Sequence, residues 1–180
     1  MTGWDFFVQG LGILALIFYV ISYQFKKPAL FYLFSFAGAA SFCIHYFLLG
    51  SVGGCVVNIV SMSKALYLWR FPEFKRKHFF FFFVGAYIVV TVLSIVLKWD
   101  SYLVILTGVA SLAHTYMFFQ HNPKMLRIIQ LLVVSPLWIV YNSLNNFSLG
   151  GILTELFVMT SSAIYLVRTR KEKATESYWI

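Results

Sequence analysis

Positive charge is confined almost entirely to every second gap between seven apolar stretches, and this pattern constrains the fold more than any other feature. Eleven of the 14 Lys and Arg residues lie in those gaps or directly after the last stretch, and a twelfth, Arg127, lies within the first three residues of the sixth stretch. The stretches are Trp4–Tyr23, Ala29–Leu49, Val52–Trp69, Phe79–Leu97, Tyr102–Phe119, Met125–Asn142 and Leu149–Val167. Each is about 18–21 residues long, the length an α-helix needs to cross a hydrocarbon core of about 30 Å. The sequence therefore predicts an all-α integral membrane protein with seven transmembrane helices.

The charged gaps also predict the orientation of the chain in the membrane. They follow the first, third, fifth and seventh stretches, whereas the alternate gaps contain only Lys98, whose charge Asp100 offsets. Short loops that are rich in Lys and Arg remain in the cytoplasm. We therefore expect the N-terminus outside and the C-terminus in the cytoplasm.

Composition argues against a soluble domain and against nucleic acid as a partner. The chain is 61% hydrophobic and has a mean hydropathy of +0.81, far from the balance of a soluble domain. The net charge of +8 lies beside the ends of the apolar stretches, where positive residues meet anionic lipid head groups. Cys43 and Cys55 occupy different spans without metal-ligand spacing. They are predicted to be small packing residues, with no metal, cofactor or disulfide.

The first three and the last three helices resemble two copies of one unit. The paired features are Gln24…Pro28 with Gln120…Pro123, Gly53-Gly54 with Gly150-Gly151, and Tyr67-Leu68-Trp69-Arg70 with Tyr165-Leu166-Val167-Arg168. The fourth helix has no counterpart, so the copies would be parallel repeats, a plan that in transporters places the substrate near the midplane. The predicted units are residues 1–71 (first repeat), 72–100 (cytoplasmic loop and linker helix), 101–168 (second repeat) and 169–180 (polar cytoplasmic tail).

The repeat leaves two registers open. The offset between the Gly-Gly pairs and the offset between the Tyr-Leu-x-Arg endings differ by one residue. One residue rotates a helical face by about 100°. In the first register Asn58 faces Glu155 across the pseudo-axis, and in the second it faces Leu156.

Two short segments resemble a transporter signature. Ser22-Tyr23-Gln24 stands where the related families often show Ser-Pro-Gln, and Phe118-Phe119-Gln120 keeps only the Gln. With its three-plus-one-plus-three plan, the chain resembles the superfamily of SWEET sugar facilitators, Pro-Gln-loop lysosomal transporters, PnuC vitamin transporters and KDEL receptors. Over nearly its whole length it looks most similar to the YgjV-type bacterial inner-membrane proteins. This resemblance implies a SWEET/PnuC-like fold in the inner membrane, whereas the absent prolines argue against SWEET-style kinked gating.

Two polar residues inside the spans are the leading substrate-binding candidates. Glu155 lies about six residues into the last span, roughly 9 Å from its start. A carboxylate there is costly, so it should face the bundle interior or a water-filled cavity, either as a solute contact and proton carrier or as a structural carboxyl. Asn58 lies at a similar depth, and the resemblance to SWEET proteins implies contact with substrate. Hydrogen bonding between helices is its alternative role.

Further candidates lie nearer the span ends. Trp138 and Asn142 share one helical face, and Trp138 could stack on a flat solute or anchor the membrane interface. His45 could line the outer half of the site or be a buried histidine bonded to a backbone carbonyl. Lys64 is predicted to extend its side chain to the cytoplasmic surface. Near an inner gate we expect Gln24, Gln120 and His114.

These observations predict a small-solute transporter that works by alternating access, either facilitative or proton-linked. Sugars, nucleosides and vitamins suit the aromatic and amide residues, and Glu155 would carry the proton. The alternative is a receptor or assembly protein, like the KDEL receptors, that does not move solute. An enzyme is not expected, because the spans show neither a nucleophile–base pair nor a metal cluster. The sequence indicates no substrate, coupling ion, direction or oligomeric state.

Overall fold

The computed structural model describes residues 3–22, 25, 27–71, 77–119 and 123–177, and the regular secondary structure of this part is helical. A π-helical segment, Gln130–Val134, joins two shorter helices into the sixth predicted span. The seven expected helical units are therefore present. The helices are α1 (Gly3–Ser22), α2 (Pro28–Leu48), α3 (Val52–Arg70), α4 (Lys77–Val96), α5 (Val104–Phe119), α6 (Pro123–Ile129), α7 (Ser135–Leu144) and α8 (Leu149–Ser177).

Six of these units are long and apolar enough to cross a membrane. The exception among the described residues is α5, whose apolar part is Val104–Met117. The sequence places the start of this helix at Tyr102, but Tyr102 and Leu103 form a turn instead. At about 1.5 Å per residue, the 16 residues of α5 extend roughly 24 Å.

The interruption of the sixth span follows from Pro136. Proline has no backbone N–H and cannot complete the α-helical hydrogen bond to the residue four positions earlier. The chain widens into the π-helical segment just before this point, where the Ser135 N–H bonds to the carbonyl of Gln130. Such widened turns re-aim neighbouring side chains. Here the Gln130 Nε2 donates to the Ser135 Oγ at 3.0 Å.

The two ends of the bundle differ in chemistry. The turns at residues 49–51, 97–103 and 145–148 meet at one end through side-chain hydrogen bonds. We call this the Asp100 end, which the charge pattern predicts to face outwards. The opposite end, the basic end, carries Lys27, Arg70, Lys124 and Arg168.

The first and last helices pack closely through two glycines. A side chain on Gly150 would overlap the backbone of Gly12, so α1 and α8 approach as only glycine allows. Small residues of this kind bring membrane helices into contact. At the Asp100 end, Gln9 bonds to the Phe147 carbonyl and the Leu149 N–H, both at 3.0 Å. The bundle is thereby closed between its first and last helices.

Helix α4 packs against α3 and α5. Phe79 stacks on Tyr67 of α3, with ring centroids 4.1 Å apart, and Phe83 is buried. Phe81 and Phe82, by contrast, are 65% and 63% exposed. The phenylalanine run at the start of α4 therefore divides between helix packing and the outer surface.

The last helix is longer than the sequence suggests. Its membrane-compatible part is Leu149–Thr169, but the helix continues through Ser177, into the region predicted as a polar tail. Its 29 residues correspond to roughly 43 Å, more than a hydrocarbon core of about 30 Å. The three-plus-one-plus-three repeat, its domain boundaries and the orientation of the termini stay predictions.

Candidate functional site

A cavity lined by both apolar and polar side chains lies among the helices of the bundle. Its volume, counted as space for the centres of water-sized spheres, is about 100 Å³. Its side chains come from α1, α2, α3, α5, the π-helical segment, α7 and α8, and no described residue of α4 contributes. Its aromatic lining comprises Tyr19, Phe31, Tyr32, Phe42, Tyr46 and Trp138. Its other polar lining residues are Ser35, Asn58, Ser61, Lys64, Ser111, His114, Gln130, Asn142, Thr154 and Glu155.

Asn58 and Glu155 both line this cavity. The Asn58 Nδ2 donates to the Gly54 carbonyl at 2.9 Å. The Ser135 side chain lies within hydrogen-bonding reach of the Glu155 carboxylate, whose Oε2 atom is buried without a hydrogen-bond partner in the described part of the chain. Leu156, the residue that the second register pairs with Asn58, is 47% exposed on the outer surface.

Trp138 and Asn142 line the cavity from α7. The Trp138 ring stacks on Tyr46, with centroids 6.1 Å apart. The Tyr46 hydroxyl donates to the Asn142 Oδ1 at 2.6 Å. A Cβ atom at Gly151 would lie only 2.6 Å from the Asn142 amide. The amide is thus held between α2 and α8, on the side of the cavity nearer the Asp100 end.

The prediction for Lys64 is wrong. This side chain is only 4% exposed, and it lines the cavity instead of reaching the surface. Its Nζ donates to the Thr115 Oγ1 at 3.1 Å and lies 5.1 Å from the centre of the Tyr87 ring, a cation–π contact. Its contacts lie on α4 and α5, which pack over this face of α3.

The predicted inner-gate residues are only partly described. His114 lines the same cavity as Lys64, and the two lie close enough to interact electrostatically. Gln24 and Gln120 lie outside the described residues.

His45 is not among the residues that line the cavity. It is fully buried, with Nδ1 at 2.7 Å from the Val8 carbonyl and Nε2 at 2.7 Å from the Ser148 hydroxyl. Since a carbonyl only accepts, Nδ1 carries the proton and Nε2 accepts from Ser148. His45 therefore ties α1 and α2 to the turn before α8, which matches its alternative, structural interpretation.

Asp100 has a structural role that the sequence reasoning missed. Its carboxylate accepts hydrogen bonds from the Tyr141 hydroxyl at 2.7 Å, the Asn145 amide at 2.7 Å and the Gly54 N–H at 3.3 Å. Asn145 also donates to the Ser51 Oγ at 3.0 Å. We call these five residues the Asp100 cluster. It joins α3, α7 and the turn before α5 at one end of the cavity.

The two cysteines lie together, which their positions in different spans did not suggest. The Sγ atoms of Cys43 and Cys55 are 2.9 Å apart, between α2 and α3. Both are free thiols. The prediction that they are small packing residues is confirmed, since both pack in the same core cluster, and only their proximity is new. No group of three His, Cys, Asp or Glu residues in the described ranges could hold a metal ion.

Comparison with known proteins gives one match, to a model of a protein family. Searches of curated proteins and of solved structures found no match. Residues 6–173, nearly the whole chain, match the family Imp-YgjV, described as bacterial inner membrane protein. The match agrees with the helices that are long and apolar enough to span a membrane. The chain therefore belongs to the YgjV family of bacterial inner membrane proteins.

Proposed function

We propose that this chain moves a small polar solute across the bacterial inner membrane by alternating access through the central cavity. The lining of the cavity is the observation that supports the proposal most directly. Polar side chains reach it from α3 and also from α5, α7 and α8, for example Asn58 and Glu155. A site shared by two helix groups changes its access when the groups rock against each other.

The Asp100 cluster supplies a closed gate for this cycle. It ties α3 to α7 on the side where the Tyr46 hydroxyl bonds to Asn142. Other lining residues, Phe31 and Leu68, lie close to the basic end of their helices. In this proposal the structure is the state closed towards the outside, and opening requires the hydrogen bonds of the Asp100 cluster to break.

Each lining residue then has a distinct task. Asn58 and Glu155 bind polar groups of the solute, and the Trp138 ring offers a flat apolar surface. Asp5 lies at the very start of the first predicted span, whereas Glu155 is the one acidic residue of the sequence that lies deeper inside a span, so proton-linked transport would depend on it. In that case Glu155→Gln abolishes the pH dependence of solute flux. Unchanged pH dependence would exclude Glu155 as the proton carrier.

Access to the cavity from each membrane face tests alternating access directly. With Cys43 and Cys55 replaced by alanine, single cysteines are placed at Thr154 and Ser35, both of which line the cavity. Sealed vesicles of each orientation are treated with a membrane-impermeant maleimide. The matched control is Thr107→Cys, at a buried position outside the lining.

We expect labelling of both cavity positions from both faces and of the control from neither. Labelling from one face only would contradict transport. It would favour the alternative of a receptor or assembly protein of the KDEL-receptor type, whose cavity opens to a single side.

A further inference from the structure

We infer that the cavity takes a small amphoteric solute, the size of an α-amino acid, with an anionic group directed to Lys64 and a cationic group directed to Glu155. The inference rests on the proposed function and narrows its substrate class. It moves that class away from neutral sugars and nucleosides.

The cavity has two chemically opposite poles. At one pole, Lys64 of α3 contacts α5 and lies close to His114 of that helix. At the other, Glu155 on α8 lies beside Ser135, and its Oε2 atom has no hydrogen-bond partner among the described residues. The basic pole can supply donors and positive charge, and the acidic pole can supply an acceptor and negative charge.

Energetics favours a solute that satisfies both poles. Lys64 contacts the neutral Thr115 hydroxyl and the Tyr87 ring, and the Glu155 Oε2 atom has no hydrogen-bond partner among the described residues. An oppositely charged solute group adds a charge-assisted hydrogen bond at each pole, and such bonds are stronger than those between neutral groups. Neutral hydroxyls compensate each pole only in part. A solute with one carboxylate and one ammonium group compensates both at once.

The two poles belong to one cavity. Asn58 and Glu155 each lie six residues beyond the first residue of their helices. Lys64 is six residues further along α3, or about 9 Å along the axis. Its Nζ lies beside Thr115 of α5, and the same cavity is lined by Lys64, Asn58 and Glu155. A single solute in this cavity therefore meets both poles.

The cavity volume allows a solute of the inferred size. About 100 Å³ of space for sphere centres is several times the roughly 10–15 Å³ that a single water requires. A small α-amino acid is therefore compatible with the cavity.

Thermal unfolding of the purified protein in lipid nanodiscs tests the inference. The panel contains alanine, serine and glutamine, each with two matched analogues: its amide, which lacks the carboxylate, and its hydroxy acid, which lacks the ammonium group. Glucose and uridine represent neutral solutes. The variants are Lys64→Met and Glu155→Gln, with the conservative Lys64→Arg and Glu155→Asp. The control is Lys27→Met, at an exposed lysine of the basic end.

We expect at least one amino acid to raise the melting temperature of the wild type and of Lys27→Met more than either analogue does. Lys64→Met should bind that amino acid at least about tenfold more weakly than the wild type does, and no more tightly than it binds the corresponding amide. Glu155→Gln should bind the amino acid no more tightly than it binds the corresponding hydroxy acid. Lys64→Arg and Glu155→Asp, which keep the charges, should retain a preference for the amino acid. These two variants separate loss of a pole from a failure to fold.

Two results would overturn the inference. One is stabilisation by glucose or uridine but by no amino acid. The other is a melting temperature that an amino acid, its amide and its hydroxy acid all raise by the same amount. Neither result touches the proposed function, which fails only if the cavity is labelled from a single membrane face.

Discussion

Replacement of Asp100 by alanine should destabilise the protein by about 3 kcal/mol. The carboxylate accepts three hydrogen bonds from α3, α7 and the turn after α7, donated by Gly54, Tyr141 and Asn145. A hydrogen bond to a charged group contributes about 1.5–3 kcal/mol. Asp100 is half-buried, and the bond from Gly54 is long at 3.3 Å. We therefore reduce the contribution to about 1 kcal/mol for each bond.

The matching change in melting temperature is large enough to measure. For a chain of this size, 1 kcal/mol corresponds to about 2–4 °C. We expect Asp100→Ala to melt about 6–12 °C below the wild type. Tryptophan fluorescence of the protein in detergent measures this change. Tyr102→Phe serves as the control, because Tyr102 is 79% exposed. It should remain within about 0.5 kcal/mol of the wild type.

A double-mutant cycle separates the Asp100–Tyr141 bond from general disturbance of the turn. Tyr141→Phe alone removes one hydroxyl and should cost about 1 kcal/mol. In Asp100→Ala the Tyr141 hydroxyl, which is buried, loses its acceptor. In the double variant that orphaned donor is absent, so the combined loss should fall short of the sum by about 1 kcal/mol.

The reasoning is refuted if Asp100→Ala melts within about 2 °C of the wild type. It is also refuted if the two substitutions are additive. Either result would mean that the hydrogen bonds of the Asp100 cluster contribute nothing to holding α3 and α7 together.

Three further predictions concern helix packing and the thiols. Gly150→Ala should destabilise the protein by about 1–3 kcal/mol, because the added methyl group meets the backbone of α1. The control is Gly10→Ala, whose methyl group meets nothing within 4 Å. Equal melting temperatures of these two variants would contradict the close packing of α1 and α8. His45→Phe should cost about 2–4 kcal/mol, since two buried groups lose their partners, and an unchanged melting temperature would show that these bonds are dispensable. Mild oxidation with diamide should join Cys43 and Cys55, whose sulfurs lie 2.9 Å apart. Maleimide labelling of the denatured wild type should then decrease at both cysteines, whereas labelling of Cys55 in Cys43→Ser should not change. If diamide leaves the labelling of the wild type as high as before, the two thiols do not pair.

Part of the candidate site could be predicted from the sequence. Asn58 and Glu155 stand out because a polar side chain inside an apolar stretch is costly unless it faces the bundle interior. Both line the cavity. The same argument singled out His45, which is buried elsewhere. The energetic cost of burying a polar group indicates that the group needs a partner, but it does not indicate which partner.

The features that the sequence reasoning missed all depend on which helices are neighbours. Lys64 lies near the end of its helix, yet it is buried because α4 and α5 cover its face. Asp100 follows a lysine in a short turn, yet its carboxylate bonds to α3 and α7. One signal was available in advance: Pro136, inside an apolar stretch, predicts the kind of helix interruption seen at the π-helical segment.

One physical reason separates the features that the sequence determines from those that only the tertiary structure decides. Helix number, approximate helix length and membrane residence follow from hydropathy summed along continuous stretches, so the sequence alone determined them. The predicted orientation likewise depends on local charge in short loops. Hydrogen bonds such as Tyr141–Asp100 and His45–Ser148 join residues that are 41 and 103 positions apart. Only tertiary packing decides such pairs, because the rotation and neighbours of each helix depend on side-chain fit across the whole bundle.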